Sequence, residues 1–189
     1  AAFIIIAIIF ASGSVMRLIH TSDWHLGQYF FTKSRAAEHQ AFLNWLIEQI
    51  EQQQVDALIV AGDLFDTGSP PSYARELYNR FVVELQRTGC QLVVLGGNHD
   101  SVATLNESRE LLSCLNTTVI ASAQGAAEQQ IVVLNQRDGQ PGLDPGHVGD
   151  LRAVQYGHGG GLPQPCGQLL EVRLGDLRQR QPGDEGVAE

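Results

Sequence analysis

Val55-Asp-Ala-Leu-Ile-Val-Ala-Gly-Asp-Leu-Phe-Asp66 is the stretch that decides the fold. From Val55 to Ala61 it is a nearly continuous apolar run of strand length, as expected for a strand covered on both faces of a parallel sheet. A glycine and two aspartates follow at once, so polar chemistry stands where the strand ends. Upstream, Phe42, Leu43, Leu46, Ile47 and Ile50 recur at three- and four-residue spacing, which predicts an amphipathic helix over residues 35 to 53 with Glu48, Gln49 and Gln52 outside. Before it, Met16-Arg-Leu-Ile-His20 reads as a strand ending in Thr21-Ser22-Asp23.

Downstream, Ser69-Pro-Pro-Ser72 signals a helix start, Leu77, Phe81 and Leu85 its inward face, and Gly89 its C-terminal cap. Gln91-Leu-Val-Val-Leu95 is a third apolar strand. A further helix is expected near residues 105 to 115, with short strands near 118 to 121 and 130 to 134. Strands alternating with helices define the α/β class: a mostly parallel or mixed sheet flanked by helices.

The whole chain has 189 residues, 43% of them apolar and 17% charged, which supports one globular domain with appendages. Twelve Lys and Arg against twenty-one Asp and Glu give a net charge of -9 and exclude a broadly basic DNA-coating protein. A nucleic-acid partner would need a local basic patch or bound metal ions. Cys90, Cys114 and Cys166 are odd in number and irregularly spaced. They exclude a disulfide framework and a cysteine zinc site, and they fit a reducing compartment, the cytoplasm.

The ends differ from the middle. Residues 1 to 11 are uncharged and mostly apolar, too short for a bilayer span of roughly 20 residues and without a preceding basic segment. Residues 1–15 are therefore expected to be a leader outside the domain, with Met16, the only methionine, as the native start; no membrane association is expected. Residues 136–189 hold 12 of the 20 glycines and 5 of the 7 prolines. Such a segment buries too little surface to offset its ordering entropy, so it is expected to be a loop-rich, poorly ordered tail, and the part after about residue 142 is expected to be out-of-frame or otherwise foreign. The organised domain is expected over residues 16–135.

Each of the three apolar strands leads into a polar cluster: Asp23-Trp-His25, Gly62-Asp63-Leu-Phe-Asp66, and Gly96-Gly-Asn98-His99-Asp100. Open α/β sheets bind ligands beyond the carboxyl ends of their strands, so the clusters should converge on one crevice. In an extended segment Asp23 and His25 point the same way while Trp24 turns back to pack. Asp63, after a glycine, suits a carboxylate bridging two cations about 3.5–4 Å apart. Asn98 adds a neutral oxygen ligand, and mixed oxygen and imidazole donors favour Mn²⁺, Fe²⁺ or Zn²⁺ over Ca²⁺, with Mn²⁺ the expected ion. His99 then suits donation to a phosphoryl or leaving oxygen. The implied reaction class is metal-assisted phosphoester hydrolysis. Singly, Asp23, Asp63 and Asn98 each read more readily as a turn or cap former, and only together do they point to a site. Asp66 and Asp100 are either partners that orient a ligand or turn residues, whereas His20 and His39 read as structural.

The three blocks D-x-H, G-D-x-x-D and G-N-H-D, in this order, resemble the calcineurin-like metallophosphoesterase family. The wider wording from His20 to Gly27, Gly62 to Ala74 and Gly97 to Ser108 is similar to the nuclease subunits of bacterial SbcCD-type complexes within it. This resemblance runs from Met16 to about Ile120 and fades by about Gly142. It implies an N-terminal part of a calcineurin-like fold and a Mn²⁺-dependent DNA exonuclease and endonuclease acting on DNA ends and hairpins. It also implies an SbcC-type ATPase partner and a homodimer within a heterotetramer. By that likeness Asp23 and His25 hold the first ion, Asp63 bridges, Asn98 holds the second and His99 is catalytic. The family's further histidine blocks are missing; Gly157-His158 and His147 lie in the glycine-rich tail and are not expected to replace them. A small-molecule metallophosphatase and a catalytically incomplete fragment remain alternatives.

Overall fold

A computed structural model describes residues 3–11, 14–122, 132–137, 151–153 and 170–173, with side chains for 16–122 and 132–137. In chain order, the elements begin with β1 (Phe3–Ala11), β2 (Ser14–Ser22), the hairpin β3 (Tyr29–Phe30) and β4 (Lys33–Ser34), and α1 (Ala36–Gln52). Next come β5 (Ala57–Ala61), α2 (Ser72–Arg87), β6 (Gln91–Leu95), α3 (Val102–Asn106) and α4 (Arg109–Ser113). The last are β7 (Thr117–Ile120), β8 (Val132–Val133), β9 (Leu151–Ala153) and β10 (Leu170–Arg173).

The main sheet has the order β1-β2-β5-β6-β7, with β2, β5, β6 and β7 parallel and β1 antiparallel along the β2 edge. Its period-two pattern sorts side chains to opposite faces. Ile19, Leu58, Val60, Leu92, Val94 and Val119 join a core with α1 and α2 through Leu43, Leu46, Ile50, Phe81 and Leu85. Leu18, Ile59, Val93, Leu95 and Ile120 join Val132 and Leu134 on the other face. Because both faces are covered, the strands read as continuous apolar runs instead of alternating ones.

The segment carrying β8 is tied beneath the sheet by two side chains. Asp56 accepts the amide N–H of Arg17 through one oxygen (2.7 Å) and that of Arg137 through the other (3.0 Å). Gln91 donates to the Val133 carbonyl (3.1 Å) and accepts from the Asn135 amide (3.2 Å). β8, β10 and β9 form a small separate sheet.

Several expectations need correction. The helix expected near 105 to 115 is two short helices broken at Glu107-Ser108, where Ser108 leaves helical geometry (φ -115°, ψ 17°). Ser101 caps the first of these by accepting the Thr104 N–H. In α2, Leu77 is only partly buried, and Ala74, Tyr78 and Val82 join Phe81 and Leu85 inside. Outside these corrections, β1 lies within residues 1–15, and β9 and β10 lie within residues 136–189. His147, His158 and Cys166 lie outside the described residues. Among the described residues, no helix is long and apolar enough to cross a membrane.

His20 in β2 and His39 in α1 are both held below the ordinary histidine pKa near 6.5, chiefly by burial; Arg35 adds to the effect at His39. The unfolded chain then binds more protons than the folded one below that value. Stability from this source is complete above pH 6.5 and lost as the pH falls through the folded values. Urea unfolding at pH 7.5 and 5.5 should show lower stability at 5.5, with a smaller difference in His39→Gln; equal differences in both chains would contradict this.

Candidate metal centre

The loops after β2 and β5 are laced together by their backbones. The N–H groups of Asp23, His25 and Leu26 donate to the carbonyls of Gly62, Asp63 and Leu64 at 3.2, 3.0 and 2.9 Å, and Asp66 N–H returns to Leu26 at 3.1 Å. Trp24 turns inward as expected, 3% exposed, its indole N–H on Thr21 Oγ1 and its ring edge-on to Phe42 and Phe81. The segment is not extended, however. Asp23 (φ 57°) and His25 (φ 47°) are both left-handed, and so is Asp63 (φ 51°) after Gly62 (φ 88°). Of six non-glycine residues with positive φ among those described, three are candidate ligands. Backbone conformations of this cost concentrate where the surrounding structure forces side chains toward a common point.

That point exists. Donor atoms of Asp23, His25 and Asp63 all lie within 4.8 Å of one another, and so do those of His25, Asp66 and His99. His25 Nε2 faces Asp23 Oδ1 at 3.9 Å and its Nδ1 faces Asp66 Oδ1 at 3.4 Å. Ser22 Oγ donates to the other oxygen of Asp23. Asp63, 8% exposed, accepts the His99 amide N–H at 3.1 Å, so the third loop docks directly onto the carboxylate of the second.

His99 is exposed, with its ring edge-on to His25 at 5.0 Å between centroids. Its Nδ1 lies 2.9 Å from the Asp66 carbonyl; a carbonyl only accepts, so Nδ1 carries the proton and Nε2 is free. That hydrogen bond raises the His99 pKa, with smaller contributions from the Asp63, Asp66 and Asp100 carboxylates and opposition from burial. Asn98 is exposed and directly precedes the residue whose amide Asp63 accepts.

Asp100 resolves as a tie between loops. Its two oxygens accept the N–H groups of Leu64 (3.1 Å), Phe65 (2.9 Å) and Gly97 (2.8 Å). Burial raises its pKa and these three hydrogen bonds oppose the rise. Two residues that the sequence pattern does not single out also reach the site. Gln28 donates to Asp66 Oδ1 at 3.2 Å, and Arg35 donates to Gln28 Oε1 at 2.6 Å. Nothing in their local pattern marks them, because the contact with Asp66 spans 38 positions of sequence.

The residues fit divalent cations. Asp23 and Asp63 bring two negative charges and His25 a ring nitrogen to one place, an arrangement of like charges that a cation relieves. Mixed carboxylate and imidazole donors suit Mn²⁺, Fe²⁺ or Zn²⁺.

The fold is an α/β sheet with acidic and imidazole donors at its carboxyl edge, the class of a metal-binding α/β protein, and the family model for calcineurin-like phosphoesterases matches residues 16–181. The chain belongs to the calcineurin-like phosphoesterase family. Among named relatives it is similar to the D subunit of the nuclease SbcCD from Escherichia coli strain K12, 72% identical over 127 residues, which is 67% of this chain and 31% of that protein. The counterpart from Rhodobacter capsulatus is 37% identical over 132 residues (66% of this chain, 33% of that protein), and the one from Bacillus subtilis 38% over 97 residues (51% and 25%). The chain thus spans about a third or less of the length of these relatives.

Proposed function

We propose that this chain is the N-terminal metal-binding part of a DNA nuclease subunit, with 3′–5′ exonuclease and hairpin or single-strand endonuclease activity in DNA recombination, replication and repair. The convergence of Asp23, His25 and Asp63 on one point at adjacent strand ends carries the reading. The name of the relatives supports a complex with an SbcC-type partner. That the partner is an ATPase, and that the chain forms a homodimer inside a heterotetramer in the cytoplasm, are further parts of the proposal. Residues 16–135 are the proposed incomplete nuclease domain, residues 1–15 a leader and 136–189 a tail.

Asp23, His25, Asp63 and Asn98 are the proposed ligands, with Mn²⁺ as the working metal. Two divalent ions, when bound, supply the charge that polarises a phosphodiester and favours ionisation of water. The chain's own contribution is placement. Asp23 and His25 come from one strand end, Asp63 from the next, and Asn98 from the third. His99 donates through Nδ1 to the Asp66 carbonyl, which leaves Nε2, protonated in the imidazolium form that the raised pKa favours, to donate to a phosphoryl or leaving oxygen.

His99→Ala should leave Mn²⁺ binding unchanged while hydrolysis falls by roughly 10²–10⁴-fold, the usual contribution of a positioned acid. Titration calorimetry and a cleavage assay on the same preparation check this, and lost metal binding with retained turnover would mean ligand and catalyst are exchanged. The reading as a whole is tested by comparing Mn²⁺-dependent hydrolysis of a DNA hairpin with that of a nitrophenyl phosphoester. Cleavage of the hairpin supports it; cleavage of the ester alone points to a small-molecule phosphatase. Weak Mn²⁺ binding without either activity identifies a catalytically incomplete fragment.

A further inference from the structure

We infer that Gln28 and Arg35 are positioning residues: acting through Asp66, they hold His25 as the Nδ1–H tautomer, so that Nε2 is the nitrogen offered to a cation beside Asp23. The inference rests on the metal-binding reading above and goes past it, because neither side chain is bonded to a proposed ligand.

The orientation of every member follows from donor and acceptor chemistry. The Arg35 guanidinium only donates, so the Gln28 atom 2.6 Å from it is the amide oxygen. That fixes the Gln28 NH₂ on the opposite side, where it donates to Asp66 Oδ1 at 3.2 Å. Asp66 Oδ1 is in turn the oxygen that faces His25 Nδ1 at 3.4 Å. His25 Nδ1 is buried and makes no hydrogen bond as it stands; Asp66 Oδ1 is within reach at 3.4 Å, and a small rotation that aligns the N–H with it supplies one. Nε2, on the other side of the ring, faces Asp23. Each nitrogen thus faces a carboxylate, which only accepts, and the nearer one, Asp66 at 3.4 Å against Asp23 at 3.9 Å, draws the proton to Nδ1.

The relay starts from rigid structure. Arg35 immediately precedes α1, and its Nε is paired with Glu38 in the first turn at 3.2 Å. The backbone closes the same loop, Arg35 N–H to the Gln28 carbonyl and Gln28 N–H to the His25 carbonyl. The hairpin β3–β4 thus returns the chain from His25 to the helix that orients it. Partners that orient a metal-binding histidine are typically worth about 10–100-fold in metal affinity.

The test uses the full chain labelled with ¹⁵N at histidine. Two-bond ¹⁵N–¹H correlation spectra are recorded without metal and with diamagnetic Zn²⁺, and the His25 signal is assigned by its loss in His25→Gln. The expected result is the Nδ1–H tautomer in the metal-free chain and a Zn²⁺-induced shift at Nε2. Gln28→Ala and Arg35→Ala should each give mixed tautomers and weaken one Mn²⁺ equivalent about tenfold by calorimetry. Arg35→Lys, which still donates to Gln28, should restore the single tautomer. Arg35 is partly exposed, so its variants leave the core untouched even where Gln28→Ala fails to fold.

An Nε2–H tautomer in the wild-type chain overturns the inference. So does a Zn²⁺ shift at Nδ1, which would make Asp66 a fellow ligand, and so do alanine variants with unchanged tautomer and affinity. If the metal-free spectra behave as expected but the wild-type chain binds no Mn²⁺, the relay stands and the proposed function fails.

Discussion

Asp63→Asn should leave a folded chain that no longer binds two Mn²⁺ ions and has lost at least about a hundredfold of any hydrolysis, since metal-supplied charge stabilisation amounts to several kcal/mol. The choice of asparagine matters. Asp63 occupies the left-handed region at φ 51°, which asparagine tolerates better than alanine does. One of its oxygens accepts the His99 amide, and an asparagine oxygen can keep that hydrogen bond. What it cannot keep is the negative charge or the second anionic oxygen. Asp63→Ala removes both functions together: it leaves the His99 N–H without its partner and strains the turn, so it should lose stability as well as metal. Calorimetry with Mn²⁺ and thermal unfolding on the two variants separate the effects. Two tight ions in Asp63→Asn would remove Asp63 from the ligand set.

The same residue shows how far the sequence can be read. The β5 run, the glycine that ends it and the aspartate after it are legible because apolar period, strand length and turn chemistry all agree there. The pairing of Asp23 with His25 follows from strand alternation on paper, yet the structure reaches it through two left-handed residues and a backbone lacing to the Gly62–Leu64 segment. Single-strand reasoning has no place for such lacing. The division of α3 from α4 is hidden because apolar spacing continues across Glu107-Ser108 while the Ser108 backbone leaves the helix. Gln28, Arg35 and the tying role of Asp100 depend on partners dozens of positions away, and only the folded chain brings those together.

Gly96→Ala should be the most damaging small substitution in the domain, destabilising it by about 3 kcal/mol, the upper end for overpacked sites, against a typical total of about 5–15 kcal/mol. A Cβ on Gly96 would lie 2.4 Å from the Ala121 carbonyl oxygen, 3.0 Å from its carbon and 3.1 Å from Leu105 Cδ1. Two of those three atoms are backbone, so no rotamer change relieves the clash. The strand end must separate from β7, and that breaks the hydrogen bond from Gly96 N–H to Ile120 (2.9 Å). The displacement falls on the loop that carries Asn98, His99 and Asp100, just beyond Gly96 in the chain. His99 N–H would withdraw from Asp63, and Asp100 from Leu64 and Phe65, so Mn²⁺ affinity should fall together with stability. Gly68→Ala is the control: its added Cβ meets Ser101 Cβ at 3.3 Å, a side-chain contact that a small shift relieves. Urea unfolding of the two variants should differ by at least about 2 kcal/mol. Equal stability would mean that β6 and β7 part freely at their carboxyl ends, and a site built on their fixed spacing would lose its basis.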